Sequence, residues 1–166
     1  MMVSTVRGHF SGLQGTAQFD PAKPCPGSVE ATIPVGRVDT RELKRDAHLK
    51  SPDFFDAEKF PQMTFKSKVC AAAGAGHVRL TGDLTIRGVT KEVAFDVEGP
   101  TAPVKDPRGM RVGASVTAKI NRKDFGVNWN RAMDAGGVVV ADEVTITLDL
   151  ELVQVNSTSQ VNSTPR

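Results

Sequence analysis

The sequence predicts an all-β protein built as an antiparallel β-barrel, and three features of the chain carry that prediction. Apolar residues alternate with polar ones in one segment after another, turn-forming residues separate these segments, and no long helical pattern lies between most of them. A period of two places every second side chain on one face of a strand. Because parallel strands need long crossover connections, the short turns favour antiparallel neighbours in a closed or nearly closed meander.

Seven strands are expected from the alternation. One lies around Phe10 to Phe19, and six others carry clear apolar series. These series run over Val29–Val35, Met63–Val69, Val78–Ile86, Val89–Val97, Met110–Ile120 and Val144–Leu152, with Val138 and Val140 leading into the last one. The residues between the apolar ones are mostly Thr, Lys, Asp and Glu, which suit a solvated outer face.

One region, at about residues 41–57, has helical character. Asp39 or Thr40 can cap a short helix over Arg41 to Lys50, and Ser51-Pro52 can open a second turn. We expect this segment to cover or connect the strands rather than to form part of the barrel wall.

The length of 166 residues fits one domain, which we place at residues 1–153. After it, residues 154–166 read QVNSTSQVNSTPR, in which the polar sequence VNST occurs twice. Such a segment has too few apolar residues to bury the surface that would order it. We therefore expect a flexible polar tail.

Composition excludes several classes of function. The 21 Lys and Arg residues nearly balance the 19 Asp and Glu residues, and without a basic run no nucleic acid is expected as a partner. No stretch approaches the roughly 18 continuous apolar residues of a membrane helix, so no transmembrane segment is expected. The N-terminal sequence has no apolar core of a signal peptide, which predicts a cytoplasmic protein; it would be periplasmic or secreted only if the given N-terminus is truncated.

Residues that could carry chemistry are scattered. Cys25 and Cys70 form no CxxC pattern, and two unrelated thiols are the favoured interpretation, with one disulfide as the alternative. No histidine lies in an HExxH motif, so neither a metal site nor a cofactor is expected. Asp53, Asp56 and Glu58 lie close together, but capping or solvated roles are commoner than acid–base catalysis. No catalytic residue is assigned.

Aromatic residues cluster in two places. Phe54, Phe55 and Phe60 lie in the helical segment, and Phe125 with Trp129 precedes the last strand. They either ring the mouth of a cavity or plug one end of the barrel, and the sequence leaves both possibilities open. An eight-stranded barrel is just wide enough to fill with its own side chains or to hold one slender ligand. The lumen-facing series contain Val, Ala, Thr, Leu and Ile rather than bulky rings, which favours an open lumen.

Six segments between residues 4 and 152 carry a resemblance to a known family. They are STVRGHFSGLQGT (4–16), SVEATIPVGRVDT (28–40), RDAHLKSPDFFDAEKFPQMTFKS (45–67), LTGDLTIRGVTKEV (80–93), INRKDFGVNWN (120–130) and DEVTITLDLEL (142–152). In this order they resemble the YceI-like family of bacterial polyisoprenoid-binding, lipocalin-like proteins. Any one segment alone would be weak evidence, but together they are highly specific.

The resemblance implies a lipocalin-like barrel of eight antiparallel strands with a short helical cover and an elongated apolar lumen. It implies binding of a polyisoprenoid, an isoprenoid quinone precursor or a similar amphiphile, and it implies no catalytic triad. In the family an apolar strand precedes the segment that matches MVSTVRG at residues 2–8, so this first strand is expected to be missing here. The resulting edge would be closed by a partner chain in a homodimer, by the tail, or not at all.

The predicted partner is therefore a hydrophobic small molecule or lipid held in the lumen. Ligand-binding residues at the lumen and its mouth are predicted to be Leu49, Phe54, Phe55, Phe60, Phe65, Phe95, Phe125 and Trp129. Contact with a polar head group is predicted for Arg45, His48 and Arg87. Two alternatives remain open: an enzyme that cyclises or isomerises a hydrophobic substrate with Asp53 or His48 as the acid or base, and a protein that sequesters varied hydrophobic compounds under stress.

Overall fold

The structure is a computed structural model, and it describes residues 4–20, 22–134, 136–155 and 160–163. These residues contain one α-helix, α1 (Leu43–Lys50), two 3₁₀ turns (Val35–Arg37 and Arg122–Phe125) and a set of antiparallel strands. The strands are β1 (His9–Phe10), β2 (Gln14–Gln18), β3 (Ser28–Pro34), β4 (Val38–Asp39), β5 (Gln62–Ala72), β6 (His77–Ile86), β7 (Val89–Glu98), β8 (Val104–Asp106), β9 (Gly109–Asn121), β10 (Glu143–Gln154) and β11 (Gln160–Ser163). None of the helices in the described part of the chain is long and apolar enough to cross a membrane.

The barrel wall consists of eight strands in the spatial order β2, β3, β5, β6, β7, β9, β10 and β11. Each strand pairs with its neighbours in antiparallel register. Two strand pairs, the hairpin β6–β7 and the pair β9–β10, pair along almost their whole length. The short β8 extends one edge of β9, and β1 pairs with β4 outside the wall. The all-β, lipocalin-like fold class expected from the sequence is confirmed.

The C-terminal strand β11 lies between β10 and β2. It pairs with Leu152–Gln154 of β10 on one side and with Gly15–Gln18 of β2 on the other. Within the segment expected to be a flexible tail, Gln154 ends β10 and Gln160–Ser163 form β11; residues 156–159 and 164–166 lie outside the described residues. Although polar, β11 gains backbone hydrogen bonds from two strand edges, and this is what orders it.

The contact of β11 with β10 is short. From Glu143 to Glu151, β10 pairs with β9 but with no strand on its other edge among the residues that the structure describes. The sheet is thus closed through β11 only at Leu152–Gln154 of β10, and the rest of that edge of β10 has no partner strand among the described residues. The edge that the sequence analysis expected is closed by the tail over only three residue pairs.

All seven expected strands are present, but some of them begin or end at other residues than expected. Val35 lies in a 3₁₀ turn after β3 rather than in the strand, yet it is buried. Val138 forms an isolated bridge with Ala132, so it does not lead into β10, and its side chain is 56% exposed. The expected N-terminal strand is divided into β1 and β2 near Gly12, whose φ of 82° interrupts an extended strand.

The helix begins two residues later than expected. Arg41 has a φ of 62° and lies outside the helix. Glu42 caps it instead, because its carboxylate accepts hydrogen bonds from the backbone N–H groups of Lys44 and Arg45. Asp39, one of the two expected caps, instead accepts a hydrogen bond from the backbone N–H of Arg41.

Cys25 and Cys70 form a disulfide with their Cα atoms 5.8 Å apart. The interpretation as two unrelated thiols is therefore wrong. Because β3 and β5 are neighbours in the wall, the connection before β3 and the end of β5 meet at the same end of the barrel. The disulfide fastens that connection to β5.

Candidate functional site

The antiparallel barrel has two ends of different construction. The helical end carries α1, the turns over residues 51–60 and the segment 122–142. The hairpin end carries the connections 19–27, 73–76 and 99–103, together with the disulfide. The predicted ligand-binding aromatics before β5 and after β9 lie at the helical end.

A buried network fixes the start of α1 on the helical end. The Thr40 hydroxyl donates to Asp46 Oδ1 (2.6 Å), and the Thr40 backbone N–H donates to the same oxygen (2.8 Å). Arg45 Nε in turn donates to the Thr40 hydroxyl oxygen (2.8 Å). The hydrogen bond from the Thr40 side chain, more than any other contact, lowers the pKa of the Asp46 carboxyl.

Three aromatic rings from two different segments meet above this network. The His48 ring lies edge-on to Trp129 (4.6 Å between centroids) and to Phe54 (4.9 Å), and the Phe54 and Trp129 rings are 5.3 Å apart. His48 Nε2 lies 2.8 Å from Asp53 Oδ2. Arg87 lies in the turn between β6 and β7, and its Nη1 donates to the Phe54 carbonyl oxygen (2.7 Å). This hydrogen bond connects the β6–β7 hairpin to the cluster.

A buried arginine positions Trp129. Arg122 is 6% exposed, and its Nη1 donates to the carbonyl oxygens of Val127 (2.7 Å) and Trp129 (2.9 Å). Its Nε donates to the carbonyl oxygen of Ala141 (2.9 Å), and its Nη2 lies 3.5 Å from Asp142 Oδ1. One side chain therefore ties both ends of the segment 127–142 to the barrel.

The lumen is packed unevenly. We call β6 and β7 the packed wall, since most of their inward apolar side chains are buried: Val78, Leu80, Leu84, Ile86, Val93 and Phe95. We call β10, β11, β2 and β3 the open side. Apolar side chains on its strands β3 and β10 that pack against the core stay partly exposed: Ile33, Ile146, Leu148 and Leu150. Apolar surface without full cover therefore lies inside the barrel on the open side.

A shallow groove of about 490 Å³ lies at the hairpin end. Its lining includes His77, Glu98, Thr101, Ser115 and Asp149, with small apolar residues between them. The Ser115 hydroxyl donates to Asp149 Oδ1 (3.0 Å). Within the described residues, no group of three or more His, Cys, Asp or Glu side chains is arranged to hold a metal ion.

Comparison with known families identifies the barrel. A model of the YceI-like domain matches residues 1–152 of this chain. The chain belongs to the YceI-like family. A UPF0312 protein of Staphylococcus aureus (strain MSSA476) is 36% identical over 145 residues, which is 87% of this chain and 82% of that protein.

Two solved structures are similar to this YceI-like chain. The YceI protein of Campylobacter jejuni superposes with a TM-score of 0.80 at 29% identity, covering 94% of this chain and 89% of that one. BcnA of Burkholderia cenocepacia superposes with a TM-score of 0.71 at 31% identity, covering 87% and 86%. The family resemblance drawn from the six sequence segments is confirmed.

The predicted ligand-binding residues of the YceI-like barrel fall into a buried group and a partly exposed group. Phe54 and Phe125 are 7% and 1% exposed, so at the helical end they fill the barrel as core. Phe95 is buried against Phe65, whose ring lies 5.0 Å away and is partly exposed. The remaining members are also partly exposed at the helical end: Leu49, Phe55, Phe60 and Trp129.

The three predicted head-group residues are engaged in other contacts. Arg45 bonds Thr40, Arg87 bonds the Phe54 carbonyl, and His48 contacts Asp53 and two rings. The structure brings His48 and Arg87 together around Phe54 but uses Arg45 to anchor the helix start. Sequence reasoning missed Arg122 and the Thr40–Asp46 pair, since a charged residue between a strand and a turn gives no signal that it will be buried.

Proposed function

We propose that this YceI-like protein binds one long-chain apolar or amphiphilic small molecule, of the polyisoprenoid or isoprenoid quinone precursor type, in the barrel lumen, for carriage or storage. The observation that carries the proposal is the set of inward apolar side chains left partly exposed on the open side, Ile146, Leu148 and Leu150 among them. Covering such surface contributes about 25 cal/mol per Å². The family supports the same ligand class.

The affinity follows from opposing contributions. Each buried CH₂ group contributes about 0.8 kcal/mol, so a chain of many carbons gains ample free energy. Ordering that chain and losing its translational freedom cost at least about 4 kcal/mol. We therefore expect a dissociation constant of about 10⁻⁶ to 10⁻⁹ M.

Native mass spectrometry of protein purified from its own host tests the proposal. A co-purified long-chain lipid is expected. In a second arm, recombinant protein is titrated with geranylgeraniol, a C20 prenyl alcohol, and compared with two variants of neighbouring residues on β10. Leu148→Arg places a charge inside the lumen and is expected to weaken binding at least tenfold, because an unpaired guanidinium is costly among apolar groups.

The matched control is Thr147→Arg, since Thr147 lies next to Leu148 and its side chain is exposed. Thr147→Arg is expected to change the dissociation constant by less than twofold. Circular dichroism establishes that both variants fold, and Leu148→Trp, which fills the lumen without charge, replaces Leu148→Arg if the latter does not. The proposal would be refuted if the protein purified from its host carried no lipid and the recombinant protein bound neither prenyl nor alkyl chains.

The same experiment separates binding from catalysis. The His48–Asp53 contact is the pair that an enzyme would use, and both side chains are half-exposed at the helical end (39% and 49%). Conversion of the bound lipid into a product of equal mass but different retention, lost in Asp53→Asn, would favour the enzyme. Unchanged lipid in both proteins is the expected result.

A further inference from the structure

The barrel wall divides between β3 and β5 at the hairpin end. These two strands pair only where residues 30–34 of β3 lie against residues 62–66 of β5. From there β5 continues to Ala72 with β6 on one side, and among the described residues it has no ladder partner on the other side. At about 3.4 Å per residue, this unpaired edge of residues 67–72 is roughly 20 Å long. We call the division along it the seam.

A β-bulge coincides with the start of the seam. The register of β5 against β6 shifts between Ser67 and Val69, and a bulge bends the strand that carries it. After the bulge, Cys70 lies opposite Leu80, which is 8% exposed, whereas the side chain of Val69 is 62% exposed. Because residues opposite each other in an antiparallel pair share a face, Cys70 lies on the inner face of the wall.

Among the described residues, one hydrogen bond and one disulfide cross the seam. The Val29 backbone N–H donates to Ser67 Oγ (2.8 Å), and Cys25 is bonded to Cys70. Ala17, which lies opposite Val29 on β2, is buried, so apolar inner surface lies behind the seam. Both cysteines are partly exposed. A thiol reductant in solution can therefore reach the disulfide.

The connection 19–27 depends on the disulfide for its attachment to β5. It contains three prolines, which have no backbone N–H to donate. The backbone hydrogen bonds of its described residues stay within it or reach back to β2. The Lys23 N–H donates to the Asp20 carbonyl oxygen, and the Gly27 N–H donates to the Gln18 carbonyl oxygen. Within the described part of the chain, no hydrogen bond or ion pair joins this connection to β5 or β6.

The helical end is closed by contacts of another kind. Arg122 donates to four backbone carbonyl oxygens, and Arg87 donates to that of Phe54. Asp46 accepts two hydrogen bonds from Thr40. A reductant cleaves none of these contacts. The hairpin end is therefore the end whose closure responds to thiols.

We propose that the Cys25–Cys70 disulfide is a redox-sensitive latch that controls the exit of the ligand at the hairpin end. While the disulfide is intact, the connection 19–27 stays against β5 and the seam is closed. After reduction the connection separates from β5, the hydrogen bond between Val29 and Ser67 is what remains across the seam, and the ligand leaves faster. This inference rests on the proposed function and adds to it a regulated exit.

The latch opens by thiol–disulfide exchange with a dithiol. One thiolate of the dithiol attacks a sulfur of the pair and forms a mixed disulfide, while the other cysteine leaves as a thiolate and takes up a proton. The second thiolate of the dithiol then displaces the remaining cysteine, which is protonated in turn. Two electrons pass to the protein, which ends with two thiols, and the dithiol ends as its own disulfide. The ligand is thus retained in oxidising surroundings and released in reducing ones.

Backbone ¹⁵N relaxation of the full-length protein without ligand tests the latch itself. The amide order parameters of residues 22–29 are expected to be about 0.85 in the oxidised protein and to fall below about 0.6 after reduction with dithiothreitol. Those of α1 are expected to stay unchanged. Equal values at residues 22–29 in the two states would overturn the latch. A reduced protein that has lost its fold by circular dichroism would overturn it as well, since the disulfide would then be a structural bond rather than a switch.

The release of geranylgeraniol tests the exit. Isotope-labelled geranylgeraniol is bound to the protein and chased with an excess of the unlabelled alcohol. Release is expected to be at least about tenfold faster from the reduced than from the oxidised wild type. The matched control is Cys25→Ala/Cys70→Ala, from which release is expected to be fast with and without dithiothreitol, since no bond is left to cleave. Equal release rates from oxidised and reduced wild type would overturn the exit.

Ser67→Ala separates the two contacts across the seam without removing a cysteine. It deletes the oxygen that accepts from the Val29 N–H and leaves the disulfide in place. In the oxidised protein it is expected to change the release rate by less than about twofold, because the disulfide still holds the seam. Release from oxidised Ser67→Ala as fast as from the reduced wild type would show that the hydrogen bond closes the seam, and would overturn the latch.

The failures are distinguishable. If neither redox state binds geranylgeraniol or another amphiphile, the proposed function is wrong and the exit is wrong with it. If the oxidised protein binds the alcohol and releases it no faster after reduction, only this inference is wrong.

Discussion

Apolar side chains at inward positions are more deeply buried on the packed wall than on the open side of this barrel. Leu84 of β6 and Leu148 of β10 both occupy inward positions of an alternating strand, yet Leu84 is 8% exposed and Leu148 remains partly exposed. Leu84 belongs to the buried core cluster, whereas Leu148 packs against that cluster from β10, which borders a strand of only four residues, β11.

Alternation in the sequence therefore determines which face of a strand a side chain occupies, but not how completely that face is covered. Packing on the packed wall stabilises the fold, whereas the incompletely covered apolar side chains of the open side are the surface to which the proposed ligand would bind. Gly82 supports the packed wall, since a Cβ there would lie 2.7 Å from the Phe65 ring.

Truncating one leucine on each side is expected to give the largest difference in stability between the two walls. Leu84→Ala is expected to lower the free energy of unfolding by about 4 kcal/mol, because it leaves a cavity in packed surroundings. Leu148→Ala is expected to cost only about 1 kcal/mol, since solvent already reaches that side chain. Urea denaturation followed by Trp129 fluorescence measures both, and equal losses would show that the two walls are packed alike.

The disulfide is expected to contribute the next largest effect, and it fastens the β2–β3 connection of the open side. Cys25→Ala/Cys70→Ala is expected to lower the free energy of unfolding by about 3 kcal/mol, as closing a loop of this length restricts the unfolded chain. Reduced wild-type protein serves as the control and should match the double variant. Identical stability of oxidised wild type and variant would contradict the pairing.

The helical end provides a third test, because the buried guanidinium of Arg122 holds the segment 127–142 in place. Arg122→Met removes the donors to the Val127, Trp129 and Ala141 carbonyls and is expected to cost about 2 kcal/mol. Lys123→Met is the matched control, since the side chain of this neighbour is half-exposed and forms an ion pair with Asp142; it should cost less than about 0.5 kcal/mol. A red shift of Trp129 emission is expected in the Arg122 variant alone.

The smallest effect concerns pH. Because the pKa of Asp46 is lowered in the folded protein, its ionised form stabilises the fold above the pKa of the unfolded chain, and this contribution is lost as pH falls through the folded value. Asp46→Asn should therefore be less stable than wild type at pH 7 and equal to it well below about pH 4. Urea midpoints between pH 2 and 7 measure this, and a constant difference would refute the assignment.

Much of the fold could be predicted from the residues. All seven expected strands are present because their apolar period is set by burial on one face, a property written into each segment. The short helical segment was also expected, although Glu42 rather than Asp39 or Thr40 caps it. The family followed from six segments in order.

The remaining features depend on tertiary neighbours, which a sequence does not show. Cys25 and Cys70 meet only because β3 and β5 pair, and Arg122 is buried only because the segment 127–142 folds over it. The polar strand β11 carries no apolar period, and two unpaired edges order it. Whether the aromatics plug or ring the barrel was left open for the same reason.

Methyl-resolved NMR of the Ile, Leu and Val side chains during titration with geranylgeraniol shows which wall the ligand contacts. Large shift changes are expected at Ile33, Ile146, Leu148 and Leu150 on the open side, with small ones at Leu80, Leu84 and Ile86 on the packed wall. Binding that perturbs the packed wall while leaving the β10 methyl groups unchanged would contradict the proposed binding on the open side.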